Sequence, residues 1–201
     1  MESALEKAYE VISQVNPRVV LLSVYRERRA KRKAKIFPYP ADNPLKRLKA
    51  FINGLYSEGL YLFHHSLFEN FRFNSKLKVR EDWVLKGLIF ALYKPVVIKE
   101  PLAIIRDHPQ RLRKNTQYYL EATLLSVEEL FSRLPKEFEV LKRFALGRAY
   151  MELGIKASHG RNYEEAFVYY SKAIKSDPKL LCDLRFVKKL VKSYLLKYFA
   201  S

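Results

Sequence analysis

The sequence predicts an α+β fold, with a mixed region over residues 1–114 and an all-α region over residues 115–201. Two observations carry this. Val19-Val20-Leu21-Leu22-Ser23-Val24-Tyr25 is β-branched and almost continuously apolar, as in a strand buried on both faces, and it follows a stretch with helical periodicity. After Asn115 strand patterns vanish, and apolar residues recur only at helical spacing. With 201 residues, 49% of them hydrophobic, there is enough apolar side chain for a sizeable core.

In residues 3–15, Leu5, Ala8, Tyr9, Ile12 and Val15 share one helical face, with Ser3 as N-cap, Glu6 as its capping-box partner and Asn16-Pro17 as the stop. After the strand at 19–25, residues 26–35 hold seven basic side chains (Arg26, Arg28, Arg29, Lys31, Arg32, Lys33, Lys35) against one acid, Glu27. No aromatic or glycine is interleaved for base stacking, so the run reads as a solvated loop; a nucleic-acid patch, a membrane contact and a localisation signal are the functional alternatives. Phe37-Pro38-Tyr39-Pro40 is extended, and Pro44 opens a helix with Leu45, Leu48, Phe51, Ile52 and Leu55 on one stripe, ending near Gly59. Residues 60–63 form a short strand. His64 and His65 follow it, and as strand neighbours they would point to opposite faces, a poor arrangement for binding one metal.

Arg80-Glu81-Asp82-Trp83 is the stretch around which the rest is organised. Asp82 stands where a helix begins, and Trp83, Val84, Leu85, Leu88, Ile89, Phe90 and Leu92 are apolar nearly all round, as in a buried helix. Residues 96–98 and 102–105 read as two short strands, the second delivering Arg106 and His108 to its end, where they could converge with the Asp82 carboxylate. Without further information Asp82 could equally be an N-cap.

Farther on, residues 118–131, ended by Leu134-Pro135, and residues 138–153 read as helices. Residues 147–180 resemble one tetratricopeptide repeat, with Tyr150, Leu153, Gly154, Ala157, Ala166, Tyr170, Ala173 and Pro178 at that repeat's spacing. The last helix, 180–199, mixes Val187, Leu190, Val191 and Leu195 with Lys188, Lys189 and Lys192; it reads as a capping helix or as a basic amphipathic surface for anionic lipid.

Lys+Arg 38 against Asp+Glu 21 gives a net charge of +17, which attracts anions such as nucleotide diphosphates, lipid headgroups or nucleic acid. The lone Cys182, among Leu180, Leu181 and Leu184, reads as a buried apolar thiol in a reducing compartment. No signal-peptide pattern opens the sequence, and no apolar run approaches the eighteen or so residues that span a bilayer, so the expectation is a cytoplasmic protein, at most peripheral at the membrane.

Phe68-Glu69, Phe73-Asn74, then Leu77-Lys78-Val79-Arg80-Glu81-Asp82-Trp83, Val96-Val97-Ile98, Glu100-Pro101-Leu102-Ala103 and Arg106-Asp107-His108-Pro109 come in a characteristic order. Together they resemble the C-terminal half of the catalytic domain of family 2, GT-A-type inverting glycosyltransferases, over residues 1–115. The resemblance implies a partial GT-A, Rossmann-like half-domain that moves a sugar from a nucleotide sugar to a hydroxyl of a glycan or lipid-linked acceptor. It further implies that Asp82 is the catalytic base, that Glu81 and Trp83 shape the acceptor side, and that Arg106 binds substrate. His108 would approach the metal or diphosphate, with manganese or magnesium as the family's cofactor. Two departures stand out. The family's Asp-x-Asp is absent upstream of Asp82, where Asp42 is the only aspartate before Arg80, and Asn70-Phe71-Arg72-Phe73 replaces the usual glycine pair. The chain therefore reads as a fragment or split subunit that works with a separate N-terminal transferase half. The rivals are a non-enzymatic module that binds a protein partner through its helical region, and a nucleic-acid binder using residues 26–35, against which the lack of stacking residues argues.

Overall fold

A computed structural model describes residues 2–15, 18–28, 31–106 and 116–199. The fold is mixed α+β, and the chain divides into two compact units, residues 1–76 with 81–114 and residues 77–80 with 115–201.

The first unit runs α1 (Glu2–Val15), β1 (Val19–Arg28), β2 (Lys31–Lys35), α2 (Pro44–Ile52), β3 (Leu60–Phe63), α3 (Leu67–Asn70), α4 (Glu81–Leu92) and β4 (Val96–Arg106). Strand β1 is central: β4 pairs with it in parallel, while β3 and β2 pair antiparallel with its first and second halves. Residues 19–24 are all buried, as a strand covered on both faces requires. Val20 and Leu22 pack on Ala8 of α1, together with Ile12, Leu62, Ile98 and Leu102. On the other face, where Leu21 and Phe37 close over Gly59, an aromatic ladder joins α2 and α4. Trp83 lies 5.5 Å from Phe51, Phe51 lies 5.4 Å from Phe90, and Phe90 lies 4.5 Å from Tyr56. The one polar residue in that buried run, Ser23, accepts a hydrogen bond from the Phe37 amide at 3.2 Å.

Several local expectations change here. Helix α1 begins at Glu2, so Ser3 lies inside it and is not its cap; Leu5, Tyr9 and Val15 are exposed, and Ala8 with Ile12 make its core contact. The described residues of the basic run, 26–28 and 31–35, form no loop but the paired strands β1 and β2. Helix α2 stops at Ile52, because Gly54 takes a φ of 84°, the left-handed conformation that ends helices. Gly59 serves packing instead, since a Cβ there would stand 2.1 Å from Leu21 Cδ1. The two short strands at 96–98 and 102–105 are one strand, β4, with register shifts around Ser23, which pairs with Pro101. Proline has no amide hydrogen to give the ladder, and an irregularity accommodates it.

Arg47 is the buried charge of this unit, 5% exposed. Its guanidinium donates to the carbonyls of Phe90 (3.0 Å), Ala91 (3.3 Å), Ala41 (3.1 Å) and Asp42 (2.5 Å). It thus ties the entry of α2 to the last turn of α4, where a cation also complements the helix dipole.

In the second unit, α5 (Thr116–Arg133) leads through a 3-10 turn (Lys136–Leu141) to α6 (Lys142–His159), α7 (Tyr163–Ser176), a second 3-10 turn (Pro178–Cys182) and α8 (Leu184–Phe199). Helix α6 runs past the predicted stop at Leu153 as far as His159. A three-residue link makes α6 and α7 a helical hairpin. Asn162 caps α7 reciprocally with Glu165, accepting from its amide at 3.2 Å and donating to its carboxylate at 2.8 Å. The two helices meet through small residues. A Cβ on Gly154 would sit 2.5 Å from the Tyr170 ring, and one on Gly147 would sit 2.7 Å from Asp177 Cβ. Ala157, Ala166, Tyr170, Ala173, Leu180 and Phe186 close the core of this hairpin. Cys182 is exposed, contrary to expectation, because the 3-10 turn sends Leu180 inward and its own last residue outward. Arg80, with a φ of 70°, belongs to this unit: its guanidinium donates to Ser126 Oγ at 3.0 Å and to Glu152 at 2.9 Å, and lies over the Tyr119 ring. Burial first and the Glu152 carboxylate second push the Tyr119 hydroxyl up to about 12.

Candidate functional site

The head of α4 gathers the two carboxylates singled out by sequence. Because the helix starts at Glu81, Asp82 lies in its first turn and is not its N-cap. The Asp82 side chain is 56% exposed, and its Oδ2 accepts from Lys86 Nζ at 2.8 Å across one turn. Lys86 Nζ also stands 5.0 Å over the ring of Tyr61 on β3. The Tyr61 hydroxyl donates to the Tyr56 carbonyl at 2.5 Å, and burial, followed by the nearby Asp82 charge, pushes its titration well above the ordinary tyrosine range. A carboxylate, an ammonium and a phenol ring thus lie together at one end of α4.

Glu81 is oriented differently. Its Oε2 is buried and has no hydrogen-bond partner among the described residues. An unpaired buried carboxylate oxygen is costly, and such atoms in native proteins call for a partner that fits them. Trp83 packs on Phe51, so part of its ring serves the core.

At the far end of β4, Arg106 Nε lies 3.6 Å from Glu27 of β1. The Arg32 hydrogen bond holds the Glu27 carboxyl below its ordinary range; burial opposes this, and Arg32 and Arg106 charges add to the lowering. His108 lies outside the described residues. The His64 and His65 rings do not point to opposite faces as expected: their centroids are 4.4 Å apart, since β3 has already ended at Phe63. Among the described residues no three His, Cys, Asp or Glu side chains gather as a metal site would require.

Sequence reasoning missed Lys86, Tyr61 and Arg47. Lys86 was within reach, because an acid and a lysine four apart on a helix pair. Tyr61 and Arg47 carry no local signal, since both are brought in by pairing and packing over long sequence distance.

The rival site, the β1–β2 ribbon, sets cations against cations. Its register places Arg26 opposite Lys33 and Arg28 opposite Lys31, an arrangement that costs stability. Glu58 offsets part of this, taking Arg26 at 2.6 Å and Lys35 at 3.0 Å. Burial pushes the Glu58 carboxyl up, but Lys35 and Arg26 outweigh it and hold it below the ordinary value of 4.5. A depressed carboxylate stabilises the fold above its unfolded value, and that contribution is lost as pH falls through its folded value. Glu58→Gln should therefore lower stability by roughly 0.5–1 kcal/mol at neutral pH, a difference that shrinks to nothing in acid. Thermal melts of both proteins across pH check this, and a gap that persists in acid would exclude the ion pairs as its cause.

Comparison with protein-family models, with curated proteins and with solved structures finds no match to this chain.

Proposed function

We propose that the first unit is the acceptor-side half of an inverting, family 2-like GT-A glycosyltransferase, acting from a nucleotide sugar onto a glycan or lipid-linked hydroxyl. The observation that carries the proposal is the head of α4, with a solvent-open carboxylate on Asp82 beside a buried, unpartnered carboxylate oxygen on Glu81. Chemically the two suit different tasks. An open carboxylate oriented by Lys86 takes the proton of the acceptor hydroxyl as that oxygen attacks the anomeric carbon, while the bond from that carbon to the diphosphate breaks and the nucleoside diphosphate leaves. Glu81, half-buried with its Oε2 closed to solvent, shapes the acceptor side of the same helix end. Arg106 and His108 keep their proposed places toward the diphosphate. Among the described residues no group of His, Cys, Asp or Glu side chains gathers to hold the manganese or magnesium that the resemblance implies.

No Asp-x-Asp precedes Asp82 within residues 1–201, so donor recognition falls to a nucleotide-binding half outside these residues. Two measurements test it. Calorimetry of this chain with nucleotide sugars and manganese should show only weak binding, and micromolar metal-dependent affinity would contradict the division of labour. With a donor-side half supplied in trans, proton NMR should show a product of inverted anomeric configuration; retention would rule out a single displacement assisted by Asp82.

A second reading, for the other unit, is favoured by its close helix contact. The close approach of Gly154 to the Tyr170 ring and the burial of Ala166 support a tetratricopeptide-like hairpin at 147–180, a scaffold that binds protein partners.

A further inference from the structure

Helix α8 (Leu184–Phe199) has two apolar sides. Phe186 and Ser193 are buried, and Phe186 meets the Tyr170 ring of α7 edge-on at 5.5 Å. At about 100° per residue, the opposite side carries Leu184, Val191 and Leu195, which are 75%, 48% and 46% exposed. Val187, Lys188, Val191, Lys192, Leu195 and Leu196 line an open apolar depression on this outer side. Tyr194, 45% exposed, borders it with its ring 5.7 Å from Phe167.

Helix α8 contains no acidic residue, and Lys188, Lys189 and Lys192 are exposed and make no ion pair with the described residues. An outward stripe of aliphatic side chains is poorly suited to face water. We propose that this face of α8 docks on an anionic lipid surface. Leu184, Val191 and Leu195 enter the headgroup boundary, Tyr194 lies at its edge, and the lysines lay their stems along the apolar zone with their ammonium groups on lipid phosphates. A second copy of the chain fits worse, because it would set Lys188 and Lys192 against lysines. The inference does not rest on the transferase proposal, since every residue in it belongs to the helical unit.

Co-sedimentation of the full chain with lipid vesicles at physiological ionic strength tests it. The chain should bind vesicles containing phosphatidylglycerol and leave pure phosphatidylcholine vesicles unbound. Val191→Asp with Leu195→Asp should abolish binding, and Lys188→Glu with Lys192→Glu should weaken it at least about tenfold. Both pairs are exposed, so melting temperatures should not change, which separates lost docking from lost folding. Binding that survives both double variants would place the lipid contact on another basic surface and overturn the proposal. Absence of binding by the unaltered chain would also overturn it, as would a dimer that Val191→Asp with Leu195→Asp dissociates without any vesicle binding.

Discussion

Asp82→Asn should cut sugar transfer by roughly a hundredfold to ten-thousandfold in a transferase completed with its donor-side half, the usual range for removing a general base. The fold should be nearly indifferent. Because α4 begins at Glu81, the substitution removes no N-cap, and from the exposed pair with Lys86 across a helical turn it takes about 0.3–0.5 kcal/mol. Product formation and thermal melting on the same samples separate the two effects. An Asp82→Asn protein that keeps most of its transfer activity would remove Asp82 as the base and with it the main support for the proposed function. Glu81→Gln provides a contrast: it leaves the Asp82 base in place, so any loss should appear mainly in the acceptor KM.

Arg47→Met should be the most damaging single change to the first unit. Methionine fills similar volume, but four carbonyls, those of Ala41, Asp42, Phe90 and Ala91, lose their donor in a site where Arg47 is 5% exposed. Leaving buried acceptors unpaired costs about 1–3 kcal/mol each before relaxation, so a net loss of about 3 kcal/mol or more is expected, a large share of a typical stability of about 5–15 kcal/mol. Arg47→Lys should recover little, because one ammonium cannot span acceptors on two elements as a planar guanidinium does. Denaturant unfolding of the three proteins checks this, and an Arg47→Met protein as stable as the parent would show that those carbonyls find other partners.

What the sequence determined by itself is what local pattern dictates. Residues 19–24 had to be buried on both faces, because an almost continuously apolar run has no polar side to offer water, and they form the central strand. The helix at 81–92 was legible for the same reason, as was the change from mixed to all-helical structure near residue 115. Tertiary structure decided the rest. Residues 31–35 show no apolar alternation, and they become a strand only because the second half of β1 offers an unpaired edge to hydrogen-bond. Residues 96–106 become one strand instead of two because pairing with β1 continues past Pro101 through shifts of register. Arginine composition argues for the surface, yet Arg47 is interior, since the last turn of α4 and the approach to α2 bring together carbonyls that need donors. At the candidate site, the acidic pair Glu81-Asp82 was visible in the sequence, but which oxygen is buried and which is open depends on the angle at which α4 leaves its first turn and on what packs against it. Sequence spacing sets only which residues share a helix; the tertiary packing divides one carboxylate from the other.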